Sequence, residues 1–137
     1  MGELEKEFKA YREKMNARIL SADSVGIRRF FNLDHQAYQP GALDKKTKEF
    51  MGLSASMVLR CDDCIRYHIS ECLAAGATEN EILEAFEVSL VVGGSILIPH
   101  LRRAFEYLDD CTSAGTELSQ DEKKNHSAIH SQHSENL

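Results

Sequence analysis

The stretch of sequence that decides the fold covers residues 41–94 and reads GALDKKTKEFMGLSASMVLRCDDCIRYHISECLAAGATENEILEAFEVSLVVGG. Asp44 is a favourable N-cap residue, and apolar residues recur at helical spacing after it, which predicts a helix over about 45–58. A second helix is predicted from about Asp62 to Gly76, because a glycine often follows the last turn of a helix. The centre of the chain is therefore expected to form helices rather than strands.

Helical patterns continue on both sides of this stretch. Thr78 to Glu81 form the capping box TENE, which predicts a further helix up to the break at Gly93 and Gly94. Altogether six helices are predicted, over about 4–20, 25–38, 45–58, 62–76, 78–92 and 95–110. We therefore expect an all-α fold in one domain, with a core that covers residues 25–111.

The size and charge of the chain exclude several classes of protein. The chain has 137 residues, the length of one domain, and 42% of them are hydrophobic, which is enough for a core. Its 16 Lys and Arg residues against 22 Asp and Glu residues give a formal charge of −6, the wrong sign for binding nucleic acid or an anionic membrane. The longest apolar stretch, Val88 to Pro99, is much shorter than the roughly 20 residues of a membrane-spanning helix. The N-terminus lacks the apolar run of a secretory signal, so we expect a cytoplasmic protein.

The two ends of the chain are predicted to lie outside the core. Residues 1–24 hold one amphipathic helix, which we expect to form a subunit contact, because a small domain leaves apolar stripes uncovered. Residues 112–137 are mostly polar and are predicted to form a mobile tail. Three histidines of this tail offer an alternative metal site, although ordinary polar tail residues are the favoured interpretation: His126, His130 and His133.

The residues that carry chemistry concentrate in positions 61–68, which read CDDCIRYH. A helix that begins here places Cys64 in its first turn, where free backbone N–H groups and the helix dipole favour a thiolate. His68 lies four residues later on the same helical face and can exchange a proton with this sulfur. Cys61 can close a disulfide with Cys64, the usual role of a C-x-x-C pair in a reducing compartment. The pattern therefore predicts a redox-active dithiol, and we predict neither a metal nor a cofactor.

The neighbouring aspartates affect the reactivity of these cysteines, and zinc binding is an alternative use of them. Asp62 and Asp63 oppose a thiolate by repulsion, and the sequence does not decide whether repulsion or the helix start is the larger effect. A zinc site with Cys72 as its fourth ligand is disfavoured, because about 16 Å of helical rise separates Cys72 from Cys61. Cys72 and Cys111 are expected to be inert core thiols.

A carboxylate in the preceding helix is a candidate partner of His68. If the two helices form an antiparallel hairpin that turns near residues 58 and 59, Glu49 and His68 are about equally far from the turn and lie side by side. The carboxylate would then orient the imidazole. An exposed glutamate in a charged segment is the alternative interpretation.

The spacing of these residues resembles that of the alkyl hydroperoxidase D-like proteins of the carboxymuconolactone decarboxylase family. The pattern consists of Glu49, eleven residues, Cys61-x-x-Cys64, three residues and His68. The surrounding sequence is similar as well, in LDKKTKE before the cysteines, AGATENEI after them and the glycine pair that follows. The resemblance covers about residues 25–110.

This resemblance implies an all-helical fold that assembles into trimers or hexamers, and a thiol-dependent peroxidase that reduces small hydroperoxides. By similarity, Cys64 is the peroxidatic sulfur, Cys61 closes the disulfide, and Glu49 and His68 form the proton relay. The oxidised pair would be reduced by a dithiol, such as a lipoyl or thioredoxin-like protein. Some peroxidases of the family have a histidine where this chain has Asp63, so the relay is expected to be weaker or differently tuned here.

Two other functions are kept as alternatives. The family also contains decarboxylases that act on a carboxylated lactone without the cysteine pair. His100, Arg102 and Arg103 are candidates for the anion site of such a lyase, although ordinary surface residues are the favoured interpretation. The other alternative is a non-catalytic module whose thiols bind metal or sense redox state. His35 would belong to any of these sites or, as we favour, pack at a helix interface.

Overall fold

Six α-helices and one short 3₁₀ turn make up residues 1–113, the part of the chain that the computed structural model describes. The α-helices are α1 (Glu3–Leu20), α2 (Val25–Ala37), α3 (Lys45–Val58), α4 (Asp62–Ala74), α5 (Glu79–Gly93) and α6 (Ile98–Thr112), and the 3₁₀ turn covers Ser95–Leu97. These described residues contain no strand, so the predicted all-α fold is confirmed. None of the helices within 1–113 has the length and apolar character needed to cross a membrane. The predicted tail beyond residue 113 lies outside the described residues, as do His126, His130 and His133.

Side-chain caps explain where three of the helices begin. The Asp44 carboxylate accepts the backbone N–H of Thr47 at 2.7 Å at the start of α3, and the hydroxyl of Ser24 accepts an N–H in the same way at the start of α2. At the start of α5, Thr78 and Glu81 each accept the other's backbone N–H, which is the complete capping box. The local sequence signals therefore act at these positions as predicted.

The core lies where α3, α4, α5 and α6 pack together. α3 and α4 run antiparallel and form the hairpin that carries the chemistry-bearing residues. Burying one large aliphatic side chain stabilises a fold by about 1.5–3 kcal/mol, so the apolar side chains buried between these helices hold the helices together. The aliphatic side chains that are almost completely buried in this core are Leu53, Met57, Ile65, Ile69, Ile82 and Leu108.

α1 and α2 lie at the margin of the core. The first half of α1 packs on α6, where the ring of Phe8 meets the ring of Tyr107 edge-on with centroids 5.7 Å apart. α2 contributes no buried residue, and Phe30 and Leu33 on this helix are 69% and 63% exposed. His35 is exposed as well, so within residues 1–113 it does not pack at a helix interface as expected.

Candidate active site

The first turn of α4 is built around the two cysteines. Cys61 is the N-cap residue, and its sulfur accepts the backbone N–H of Cys64 at 3.3 Å. Cys64 lies three residues after the cap, in the first turn, where unpaired N–H groups and the helix dipole favour negative charge. The two cysteines are joined by a disulfide, and Cys64 is exposed to solvent. An external thiol or oxidant can therefore reach Cys64 directly.

Glu49 and His68 form a buried pair across the α3–α4 hairpin. The carboxylate oxygen Oε2 of Glu49 lies 2.8 Å from Nδ1 of His68. Glu49 is completely buried and His68 is only 7% exposed, so water competes little for this hydrogen bond. A carboxylate oxygen accepts, so this geometry suits donation by Nδ1 and makes Nε2 the ring nitrogen that can take part in proton transfer. The structure thus places side by side the two residues that the hairpin argument paired.

Lys45 supplies a second partner for the buried carboxylate. Its ammonium group donates to Oε1 of Glu49 at 3.3 Å and to Oε2 of Glu71 at 3.1 Å. Burial alone would lower the pKa of Lys45, but these hydrogen bonds to Glu71 and Glu49 raise it above its ordinary value. Sequence reasoning missed Lys45, although it precedes Glu49 by four residues on one helical face and this spacing is a recognised signal for an ion pair.

Two further residues confine the imidazole of His68. The hydroxyl of Tyr38, at the end of α2, lies 3.5 Å from Nε2, and the edge of the Tyr67 ring faces the imidazole with centroids 5.1 Å apart. Burial, followed by the charges of Glu49 and Asp34, raises the pKa of Tyr38, so its hydroxyl keeps its proton. Tyr38 is 30 residues away in sequence, and no local pattern connects it to His68.

Gly52 lies directly under the same ring. A Cβ atom built on Gly52 would lie 2.5 Å from Cε1 and 2.7 Å from Nε2 of His68. The imidazole therefore rests on the bare backbone of α3, one turn after Glu49. Sequence reasoning also missed this residue, although its place three residues after Glu49 puts it on the same face of the helix.

Cys64 and His68 line one cleft, with a volume of about 240 Å³, at the meeting of α1, α2 and α4. Arg12 of α1 forms part of its rim, with its guanidinium 4.1 Å from the centre of the Tyr67 ring. The remaining residues that line the cleft are Asp34, Asp63 and Tyr67. Of the four residues that the sequence assigned to the site, Cys64 and His68 thus line the cleft, while Glu49 is bonded to His68 and Cys61 to Cys64.

Asp62 is held by two residues of α6. Its Oδ1 lies 2.7 Å from Nδ1 of His100, and its Oδ2 accepts the Nε–H of Arg103 at 2.9 Å. Burial raises the pKa of Asp62, but the hydrogen bonds from His100 and Arg103 outweigh it and hold the pKa below its usual value. We call Asp62, His100 and Arg103 the α4–α6 clasp. His100 and Arg103, two of the three candidates for the anion site of the lyase alternative, are thus already paired with a carboxylate.

The other two cysteines lie apart from this cleft. Cys72 is buried in the core and Cys111 is partly buried on α6, and neither forms a disulfide. Burial raises the pKa of each thiol to about 12, which suits inert core thiols. Within residues 1–113, no group of three or more His, Cys, Asp and Glu side chains is arranged to hold a metal ion.

The comparison with protein families agrees with this architecture. The model of the carboxymuconolactone decarboxylase family matches residues 27–107. The chain belongs to the carboxymuconolactone decarboxylase family. The matched range runs from α2 to α6 and contains the cysteine pair, Glu49 and His68. The family predicted from the sequence pattern is therefore confirmed.

Solved structures of this family have the same fold. A crystal structure of a Thermotoga maritima protein is 54% identical, covers 80% of this chain and 96% of its own, and has a TM-score of 0.77. A second crystal structure of the same Thermotoga maritima protein, a family member for which an antioxidative role has been suggested, is 53% identical, covers 78% of this chain and 91% of its own, and has a TM-score of 0.75. The apo form of a Legionella pneumophila family member is 26% identical over 76% of this chain and 86% of its own, with a TM-score of 0.56.

A similar sequence is also found in Paracoccus denitrificans. This relative, an uncharacterized protein of the cox locus, is 31% identical over 85 residues. The matched region covers 62% of this chain and 77% of the relative. Most of the relative's length is therefore similar to a part of this chain.

Proposed function

We propose that this chain is a thiol-dependent peroxidase of the alkyl hydroperoxidase D-like branch, which reduces small hydroperoxides. One observation carries the proposal: a disulfide-forming pair starts α4, and its exposed member, Cys64, shares a cleft with a histidine that is bonded to a buried carboxylate. A helix start favours the thiolate, and the adjacent base can carry the proton that the reaction moves. The antioxidative role suggested for the Thermotoga maritima relative supports the same assignment.

The first half of the proposed cycle takes place at Cys64. Nε2 of His68 accepts the thiol proton, and the thiolate attacks the terminal oxygen of the hydroperoxide. A sulfur–oxygen bond forms as the oxygen–oxygen bond breaks, and the departing alkoxide takes the proton from His68. The products are an alcohol and the sulfenic acid of Cys64, so sulfur is oxidised and the peroxide is reduced. Glu49 keeps the imidazole in the required tautomer throughout.

The second half of the cycle restores the dithiol. The thiol of Cys61 attacks the sulfenic acid of Cys64, which releases water and forms the disulfide. An external dithiol, such as a lipoyl or thioredoxin-like protein, then reduces the disulfide and becomes a disulfide itself. Such reductants belong to a reducing compartment, so we place the protein in the cytoplasm.

We also propose that the chain works as a homo-oligomer, a trimer or hexamer. Large apolar side chains are exposed on α2 and on the last turns of α5, which is typical of surfaces that pack against another subunit. The most exposed of these side chains are Phe30, Leu33, Val91 and Val92.

The direct test is peroxide consumption with dihydrolipoamide as the reductant. Cys64→Ser and Cys61→Ser should both abolish turnover, and dimedone should trap a sulfenic acid at Cys64 in the Cys61→Ser protein. Cys111→Ser is the matched control, because it removes a thiol outside the cleft and should leave turnover unchanged. No consumption by the native chain with any dithiol, or unchanged turnover in Cys64→Ser, would refute the proposal. Turnover of a carboxylated lactone by the double Ser variant would instead favour the lyase.

A further inference from the structure

The α4–α6 clasp has no part in the proton relay, yet it holds the first residue of the helix on which the cysteines react. Asp62 directly follows Cys61, and both of its carboxylate oxygens are bonded, one to His100 and the other to Arg103. The guanidinium of Arg103 also lies 3.2 Å from Nδ1 of His100, so the three side chains form one cluster. A short polar link therefore connects the redox-active turn with α6.

The charge of Asp62 works against a thiolate. A carboxylate next to a cysteine raises the free energy of the sulfur anion by repulsion, and solvent screens this effect only in part. Arg103 stays protonated at every working pH, and its position on Oδ2 gives Asp62 a compensating positive charge. The neighbouring Asp63 faces the cleft, and no ion pair to it is found among residues 1–113. The clasp thus compensates the charge of Asp62 but not that of Asp63.

Titratable and charged groups from every helix packed around the cleft surround the cysteines. Each helix packed around the cleft contributes at least one, with Glu49 of α3 acting from behind His68. The set consists of Arg12 from α1, Asp34 from α2, Glu49 from α3, Asp63 and His68 from α4, and His100 and Arg103 from α6.

We propose that His100 and Arg103 are positioning residues that keep the Cys61–Cys64 dithiol reactive by compensating the charge of Asp62. The proposal deepens the proposed function, since it concerns the same sulfur atoms. The compensating charge raises the fraction of Cys64 that is present as thiolate, and this fraction determines how fast Cys64 reacts with any electrophile. The side chains of Asp62 and Arg103 are 33% and 43% exposed, so solvent screening limits the expected change in rate to about three- to tenfold.

The experiment measures alkylation of the freshly reduced protein by iodoacetamide between pH 5 and 9, with adducts at Cys64 located by fragment mass spectrometry. Arg103→Gln should slow the reaction of Cys64 at pH 7 by about three- to tenfold and move the rate profile to higher pH. Arg102→Gln is the matched control, because it removes the same charge from the adjacent, exposed position, which has no bond to Asp62. Its profile should match that of the native chain.

A substitution of the opposite sign distinguishes charge compensation from structural damage. Asp62→Asn removes the repulsion and should speed the alkylation of Cys64, and the double variant Asp62→Asn/Arg103→Gln should return close to the native rate. Damage to the fold would not give opposite changes in the two single variants that cancel in the double variant. Asp62→Asn also gives the answer if Arg103→Gln fails to fold.

Two outcomes would overturn the proposal: identical alkylation profiles for Arg103→Gln and Arg102→Gln, or no acceleration in Asp62→Asn. Alkylation requires no peroxide and no reductant partner. A chain that consumes no peroxide can therefore still show the predicted shifts, which separates this proposal from the peroxidase assignment.

Discussion

Replacing Gly52 with alanine tests whether the imidazole of His68 has to lie against the backbone of α3. The added Cβ would lie 2.5, 2.7 and 2.9 Å from Cε1, Nε2 and Nδ1 of the ring, whereas ordinary contacts begin at 3.4 Å. The ring therefore has to withdraw by about 1 Å, which is enough to lose the 2.8 Å hydrogen bond to Glu49. A misplacement of about 1 Å in a catalytic group costs on the order of a hundredfold in rate.

The free energy of unfolding should change much less than the rate. Overpacking a buried position costs about 1–3 kcal/mol, while alanine in place of glycine inside a helix contributes about 1 kcal/mol of stability. These effects largely offset each other, and we expect a net loss of about 0–2 kcal/mol. Urea denaturation measures this loss, and peroxide consumption with dihydrolipoamide measures the rate.

Gly26→Ala is the matched control for this experiment. Gly26 lies in α2, and a Cβ built there has no neighbour within 4 Å. The control should keep full turnover and gain up to about 1 kcal/mol of stability. If Gly52→Ala remains folded and consumes peroxide at the native rate, the position of His68 is not critical and the proposed relay is wrong.

Three further predictions concern other parts of the structure. At pH 8 the reduced native chain should be alkylated at its C-x-x-C pair only, because burial raises the pKa of Cys72 and Cys111 to about 12; a mass count that shows adducts on either residue before denaturation would contradict this. The clasp holds the pKa of Asp62 below its ordinary value of 3.8, so the ionised carboxylate stabilises the fold above that pH and this contribution is lost as the pH falls through the lowered pKa. Asp62→Asn should therefore lose less stability than the native chain between pH 5 and pH 2 in urea titrations, and equal losses would refute the reasoning. Tyr38→Phe should reduce peroxide consumption several-fold with little change in melting temperature, because it removes a hydroxyl 3.5 Å from Nε2 of His68; an unchanged rate would show that this contact does not assist the relay.

The sequence contained enough local information to predict the helices and the family. Helix caps such as Asp44 and the box at Thr78 depend on residues only a few positions apart, and the structure has them as predicted. The pairing of Glu49 with His68 followed from one further assumption, an antiparallel hairpin, because equal distances from a turn place residues side by side.

The parts of the site that were not predicted depend on contacts between distant segments or on surfaces. Tyr38 reaches His68 from another helix, and the Asp62 carboxylate is bonded by His100 and Arg103 from 38 and 41 residues away. No periodic pattern encodes such contacts, since they depend on how the helices cross. His35 was misplaced for a related reason: the sequence of α2 is amphipathic, but this helix contributes no buried residue within the described chain.

The sulfur of Cys61 is at the same time the cap of α4 and a redox centre. Its bond to the N–H of Cys64 becomes stronger when the sulfur is an anion, because charge-assisted hydrogen bonds are the stronger ones. The stability of the first turn of α4 and the reduction of the disulfide are therefore thermodynamically linked, and each changes the other by the same free energy. Anything that frays this turn therefore also alters the thiol–disulfide equilibrium. A change in the start of one helix is thus also a change in how readily the protein can be reduced.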